Sequence, residues 1–302
     1  MHLIIPYAAS DRLGHKALDR LALPALHTWL GQSRCSTQDT DPGHAPSPSA
    51  MPHERALARA LGWTAAPPYP WAAWQTDTPG MQAQAWITPC HWQIGMNQAV
   101  MLNPQDLQLS NEESQQLLQA MQPFLQEDGL TVRWHSALQW HASGDAFDGL
   151  ETASLDRVID ADINAWLTGQ IPASLRRLQS EMQMLLYNHP VNDARLARGQ
   201  WTINSFWVHG AGKPPAASHA DARLIHDLRE PALQGDMASW RATWQGVDTL
   251  LAGMLHLTNS ITLCSERAAH TYTAAPRGWR QRITRLFQTT DTSTALQALL
   301  MP

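Results

Sequence analysis

Hydrophobic rhythm at the two ends of the chain limits the folds open to it. Leu3-Ile4-Ile5 is a short apolar run stopped by Pro6, and from Leu13 to Leu30 apolar residues recur at helical spacing, so a buried strand is expected to lead through a loop into a helix. The alternation returns late in the chain. Ile203 to His209 is a mainly apolar run ending at Gly210-Ala211-Gly212-Lys213-Pro214-Pro215, Trp240, Trp244, Val247 and Leu251 mark one helical face, and Ser260 to Cys264 reads as a further strand. Strands alternating with helices predict a parallel sheet covered by helices.

Between these ends the pattern changes. Asp39 to Pro52 is dense in Pro, Ser, Asp and Gly and predicts a surface loop, after which a helix runs from His53 through Leu57 and Leu61 to a stop at Gly62. Short β-like pieces follow at Ala85 to Thr88, Ala99 to Leu102 and Thr131 to His135. Ser110-Asn111-Glu112-Glu113 is a capping box ahead of Leu117, Leu118, Met121 and Leu125, and a second helix from Ser174 carries Leu175, Leu178, Met182 and Leu185 before stopping at Pro190. The expected organisation is therefore an α/β core, residues 1–85 and 200–302, with mainly parallel sheet flanked by helices, interrupted by a smaller α+β domain at 86–199.

Composition narrows the partners. With 302 residues, 44% of them hydrophobic, both domains can bury a core. A net charge of -5 and 16% charged residues give no field that would attract nucleic acid or anionic lipid. No stretch approaches the roughly 18 consecutive apolar residues of a membrane span, and the first residues lack the basic and small-residue flanks of a signal peptide. Cys35, Cys90 and Cys264 are widely spaced and fit neither a disulfide framework nor a CxxC zinc site, so a cytoplasmic location with reduced thiols is expected. The fourteen tryptophans suit core or interface positions, with stacking against a ligand as the sharper alternative.

One segment is more specific. His189-Pro190-Val191-Asn192, Arg195 and Gly199 are followed by Asn204-Ser205-Phe206-Trp207-Val208 and then Gly210-Ala211-Gly212-Lys213. Backbone N–H groups of a glycine loop after a strand converge well on a phosphate or carboxylate, with Arg195 and Lys213 supplying charge. The plainer reading is that His189-Pro190 ends a helix, Asn192 caps a turn and the glycines allow a tight corner. In order and spacing the segment resembles the archaeal-type cofactor-independent phosphoglycerate mutases of the alkaline phosphatase superfamily. The likeness extends more weakly over nearly the whole chain: Met1 to Leu30 resembles that family's first strand and helix, Ser49 to Gly62 its nucleophile segment, and Trp86 to Leu125 the start of its inserted domain. The resemblance implies an alkaline-phosphatase-like core, a binding site of His189, Asn192, Arg195, Asn204, Gly210, Gly212, Lys213 and His53, and Ser49 as nucleophile, the plainer reading of Ser49 being a polar residue of a Pro/Ser loop.

The resemblance also implies chemistry at two metal ions, manganese or magnesium, which activate the serine and neutralise the transferring phosphoryl group. Here the chain departs from the family. The Asp-Gly pair that ends the family's first strand is matched by Ala8 and Ala9, with Asp11 just beyond. The Gly-Asp-His that ends its last core strand is matched by Glu266 and Arg267. No Asp-x-x-Gly-His motif follows Pro215, where Asp248 and His256 lack the spacing. The fourteen histidines contain no HExxH, and Cys90-His91-Trp92 is the one local thiol–imidazole set, its neighbours pointing apart if extended. Arg267 places a fixed charge where the family holds a cation, open to an anion or to a neighbouring carboxylate.

Three functions follow as expectations. The first is a catalytically degenerate relative that needs no metal, binds a small phosphorylated or carboxylated metabolite, and serves a regulatory or scaffold role. The second is an active mutase, phosphatase or phosphotransferase with relocated ligands and two bound ions. The third is an interaction scaffold using tryptophan-rich faces for a protein partner or self-association.

Overall fold

The structure is a computed structural model that describes residues 1–42, 49–63, 66–76, 82–167, 171–213, 221–274 and 291–300. Among them the strands run β1 (His2–Ile5), β2 (Ser33–Thr40), β3 (Gln84–Cys90), β4 (Trp92–Ile94), β5 (Ala99–Met101), β6 (Thr131–Ser136), β7 (Gln139–Ser143), β8 (Ser205–Gly212), β9 (Ala222–Leu224), β10 (Ser260–Cys264) and β11 (Ala268–Ala274). The chain divides into two compact units, one of Met1–Ser47, Met51–Thr64 and Ser218–Pro302, the other of Pro48–Ala50 and Ala65–Ala217. No helix among the described residues is long and apolar enough to cross a membrane.

The first unit holds a five-stranded sheet in the order β2-β11-β10-β1-β9. β1 runs parallel to both β9 and β10, while β11 returns antiparallel on β10 and β2 antiparallel on β11. The α/β class expected from the sequence is therefore observed, with the parallel part at β9-β1-β10. Leu3, Ile4 and Ile5 are all fully buried, which is why a central strand covered on both faces reads as a run and not as an alternation.

The expected Leu13 to Leu30 helix is broken in two. A 3-10 turn, His15–Leu18, is followed by Arg20 in the left-handed region, and the α-helix proper is Pro24–Leu30. Pro24 begins it, since a first-turn residue needs no amide partner. The carboxylate of Asp248, on the Met237–Met254 helix, accepts the amides of Ala25 at 3.0 Å and Leu26 at 2.9 Å, so the helix start takes its partner from another element. Trp240, Trp244, Val247 and Leu251 are buried, each contributing roughly 1.5–3 kcal/mol of apolar burial.

The Pro52–Ala60 helix forms where expected and ends before Gly62, whose φ is +77°. The loop expected over Asp39 to Pro52 does not hold at either end. Asp39 and Thr40 belong to β2, and Asp41, Ser49, Ala50 and Met51 are buried, while residues 43–48 lie outside the described residues. The cause is an ion-pair network that composition does not reveal. Arg55 grips both carboxylate oxygens of Asp39, at 3.1 and 2.9 Å, and reaches Asp41 at 2.7 Å, while Arg59 adds a 2.6 Å bond to Asp39.

The second unit is built on a four-stranded antiparallel sheet in the order β6-β7-β3-β8. Its main elements follow the order β3, helix Asn111–Glu127, β6, β7, helix Ala173–Tyr187, β8, a β-α-β-β-α-β unit. The expected capping box is present, with Ser110 Oγ accepting the Glu113 amide at 3.1 Å and the Glu113 carboxylate accepting the Ser110 amide at 3.2 Å. Both helices cover one face of the sheet, where Ala85, Ile87, Trp140, Phe206 and Val208 meet Leu117, Met121, Leu178 and Met182. The strand expected at Ile203 to His209 is β8, and it pairs with β3 in this sheet. Gly210 and Gly212 are strand residues and do not form the expected loop.

Candidate functional site

The 189–213 segment is brought together, but as a packing device. His189 does not merely end one helix. It caps the next, Pro190–Ala197, with Nδ1 accepting the Val191 amide at 3.3 Å, and burial pushes its imidazole pKa down. Asn192 is buried, donating to the carbonyls of Leu186 (2.8 Å) and Ile203 (2.7 Å) and accepting the Ile203 amide at 2.8 Å. Asn204 closes a similar pair on Trp92, accepting its amide at 2.8 Å and donating to its carbonyl at 2.9 Å. The short polar side chains thus replace missing strand and helix partners.

Arg195 is the centre of this arrangement, with none of its surface exposed. Its Nη1 donates to Glu113 at 2.6 Å, its Nε to the Trp201 carbonyl at 2.7 Å and its Nη2 to the Leu107 carbonyl, while Arg198 takes the other oxygen of Glu113. Burial opposes the charge of Glu113, but the Ser110 amide and the two arginines outweigh it and hold its pKa below the usual range. A guanidinium so occupied has no donor facing solvent for a ligand. Lys213 is exposed and pairs with Asp148 at 2.5 Å. Gly210 and Gly212 have φ of +62° and +145°, and a Cβ on them would stand 3.1 Å from Trp71 Cβ and 2.9 Å from Pro70 Cβ. Their absent side chains make room for the 70–71 backbone, not for an anion.

Ser49 gained a partner that the sequence did not announce. Its Oγ donates to Glu151 Oε1 at 2.6 Å, its carbonyl accepts the Ser154 amide at 2.8 Å, and Arg157 donates to the Ala50 carbonyl at 3.1 Å. Glu151 lies 102 residues away, in a stretch without periodicity, so no local signal marked it. His53 is buried on the Pro52–Ala60 helix, its ring 6.2 Å from that of Tyr7. Cys90 and His91 do not form a pair: the Cys90 thiol is fully buried, which pushes its pKa up, while His91 bonds the Thr202 carbonyl at 2.8 Å and packs on Trp201.

The carboxyl ends of β1 and β10 offer the other constellation, at the position where open α/β sheets present ligand sites. After β1, Tyr7 is buried with φ 56°, a conformation rarely taken by a bulky residue, and Ala8 and Ala9 are buried beside it. Two indoles hold this turn: Trp240 Nε1 donates to the Tyr7 carbonyl at 3.0 Å and Trp244 Nε1 to the Ala8 carbonyl at 3.1 Å. Next, Ser10 Oγ donates to Glu266 Oε1 at 2.5 Å and the Asp11 amide to Glu266 Oε2 at 3.0 Å. Burial raises the pKa of Glu266, with the Ser10 and Asp11 bonds working against it. Burial likewise raises that of Asp11, opposed by the nearby Arg267 and His15. The Arg267 guanidinium makes no hydrogen bond among the described residues, while its backbone joins the Ser265 and Asp41 turn.

These residues do not fit a pair of divalent cations. Ala8 and Ala9 bring no donor, the neighbouring carbonyls are taken by indoles, and both oxygens of Glu266 accept hydrogen bonds. Among the described residues no group of three or more His, Cys, Asp or Glu side chains converges as a metal site. Asp248 caps a helix, and His256 stands in the Leu255–Leu257 turn.

No protein-family model matches the sequence, and no curated protein matches it. Among solved structures, a cofactor-independent phosphoglycerate mutase from Thermoplasma acidophilum aligns over 99% of this chain and 98% of its own at 14% identity, but with a TM-score of 0.35 that carries no argument. The structure of the PH0037 protein from Pyrococcus horikoshii aligns over 91% of this chain and 87% of its own, with 11% identity and a TM-score of 0.50, so this chain shares a fold with that protein.

Proposed function

We propose that the protein is phosphoglycerate-mutase-like and catalytically degenerate, binding a small phosphorylated or carboxylated metabolite at the carboxyl ends of β1 and β10 and acting in the cytoplasm as a sensor or scaffold for a protein partner. The observation that carries this reading is the closure of the β1 turn. Hydrogen bonds from Trp240 and Trp244 engage the Tyr7 and Ala8 carbonyls and one from Ser10 engages Glu266, in the segments that the resemblance matches to the family's metal ligands, leaving Arg267 as the charge that can meet an anion. The resemblance over residues 189–213 supports relationship in fold, since those residues are structural here; it lends no support to an anion site at Arg195. Thermal shift with 3-phosphoglycerate and phosphoenolpyruvate tests the proposal, together with a mutase assay in added manganese. Stabilisation by the ligand, its loss in Arg267→Ala and no turnover are expected. Absence of any shift, or manganese-dependent turnover, overturns it.

A second reading, an altered phosphotransferase, is favoured by the Ser49–Glu151 bond of 2.6 Å, because a carboxylate at hydrogen-bond distance is the minimum a serine nucleophile needs as a general base. It requires turnover of a phosphomonoester that falls at least about a hundredfold in both Ser49→Ala and Glu151→Gln. Turnover unaffected by either substitution sinks it.

A further inference from the structure

The sheet of the second unit has two unlike faces. One is the hydrophobic core under the helices. The other carries Arg133 and His135 of β6, His141 of β7, Gln84, Trp86 and Thr88 of β3 and His209 of β8, and none of the four strands contains an Asp or Glu. In a chain of net charge -5, a sheet with one arginine, three histidines and no carboxylate is a local reversal of sign. The Trp71–Gln75 helix covers the β3 and β8 side, with Gln75 accepting from Trp86 Nε1 at 2.8 Å, and it brings no charged residue.

Among the described residues the β6–β7 side is the one left exposed, at Arg133 and His135. Arg133 and His141 are directly opposed in register, and Trp86 is opposed to His141 on the next strand. His135 and His141 both pack against the Trp86 ring, with centroids at 5.2 and 5.4 Å. Cross-strand neighbours stand about 5 Å apart at Cβ, so the guanidinium of Arg133 and the two imidazoles border one small area. Arg133 and His135 are exposed, and neither makes a hydrogen bond or ion pair among the described residues. His141 is oriented: its Nε2 donates to Gln84 Oε1 at 2.8 Å, leaving Nδ1 to take up a proton and donate to a ligand.

We propose that Arg133, His135 and His141 form a binding site for a tetrahedral dianion, the phosphate group of a small molecule or free sulfate. Arg133 supplies the permanent charge and a forked donor, and the histidines supply further N–H donors once protonated. Burial, and after it the charges of Arg133 and His135, lower the His141 pKa in the absence of ligand, and these are the charged groups acting on it among the described residues. An anion seated between them reverses that repulsion, so binding takes up a proton and tightens as pH falls. The site lies in the second unit and does not depend on the reading of Arg267.

Sulfate is the first probe, because it stays doubly charged across the useful range, with sodium chloride at equal ionic strength as control. Calorimetry and thermal shift on the full chain at about pH 6 and pH 8 bracket the ordinary imidazole pKa. Binding about tenfold tighter per pH unit of fall is expected while one imidazole titrates, with Arg133→Ala at least about tenfold weaker, both measured again in an Arg267→Ala background so that sulfate held at Arg267 is not counted. Methyl phosphate distinguishes a phosphate-selective site from one that takes any tetrahedral dianion. His141→Gln is expected to flatten the pH dependence; should it unfold the chain, imidazole titration of the wild type by NMR replaces it, with sulfate expected to raise the His141 pKa. Sulfate acting no better than chloride, or equally on Arg133→Ala, overturns the site; loss in Arg267→Ala alone removes it while leaving the proposed function standing.

Discussion

Trp240 and Tyr7 are joined by a 3.0 Å hydrogen bond from indole Nε1 to backbone carbonyl, both residues essentially excluded from solvent and 233 positions apart in the chain. Tyr7 holds a left-handed φ of 56°, and such a turn persists only when its surroundings over-determine it. Trp244, one helical turn later, does the same for Ala8 at 3.1 Å, and the two indoles meet edge to face at 6.2 Å. Here a tryptophan-rich composition has a structural meaning: indoles supply area and one directed donor each to fix the end of β1.

Trp240→Phe and Trp244→Phe are accordingly expected to destabilise the fold by about 1–3 kcal/mol each, since each leaves a buried carbonyl unsatisfied, with a further contribution from lost volume. Chemical denaturation of the two variants and the double variant measures this. Because the indoles touch one another and adjacent carbonyls, the double variant is expected to depart from additivity. Additive losses no larger than the volume change explains would mean the hydrogen bonds do not matter.

Arg195 offers a sharper contrast between structure and ligand binding. Arg195→Met removes the charge that faces Glu113 and strands the Leu107 and Trp201 carbonyls, and breaking a buried pair in this way costs about 3–5 kcal/mol. Arg195→Lys keeps the charge without the fork, so only partial recovery is expected. Denaturant midpoints of the three proteins decide the matter. A stable Arg195→Met protein that has lost only affinity for phosphoglycerates would restore the ligand role.

Much of the local structure was legible because its cause is local. The run at Leu3 to Ile5, the Ser110 capping box and the Trp240 to Leu251 stripe each state their element in a few consecutive residues. What was not legible depends on distant partners. β8 reads as a buried strand, but nothing in Ser205–Gly212 says that it pairs with β3. β2 is polar and exposed, and is a strand only because β11 pairs along it. The 189–213 segment shows residue types that suit an anion, yet whether Arg195 faces a ligand or Glu113 is decided by a residue 82 positions earlier. Glu151 beside Ser49 was hidden for the same reason.

Gly210 and Gly212 distinguish close packing from an anion nest. Gly210→Ala puts a Cβ 3.1 Å from Trp71 Cβ and Gly212→Ala puts one 2.9 Å from Pro70 Cβ. Crowding of this kind costs about 1–3 kcal/mol, and the left-handed backbone adds about 1–2 kcal/mol. Both variants are expected to lower the denaturation midpoint, while affinity for phosphoglycerates, measured where both remain folded, stays as in the wild type. Unchanged stability with weakened binding would return these glycines to a ligand site.

Stability should decline with acid in two stages, and the groups responsible can be named. Burial lowers the pKa of His2, His91, His141, His189 and His270. The unfolded chain takes up protons at the ordinary value of 6.5 that the folded chain refuses, so the stability these groups contribute is intact above that value and is lost as pH falls below it toward their folded values. The second stage comes from carboxylates. For Asp39 burial alone would raise the pKa, but the bonds from Arg55 and Arg59 outweigh it and lower it from 3.8, and Glu113 is lowered from 4.5; their contribution is present above those values and disappears below them. His270 isolates the first stage, being nearly excluded from solvent in β11 with burial as its one cause. In His270→Leu the dependence of unfolding free energy on pH just below 6.5 should be shallower by up to one proton per molecule, with the carboxylate stage unchanged. Urea denaturation at stepped pH measures both, and identical slopes in variant and wild type would show that His270 takes up its proton as readily folded as unfolded.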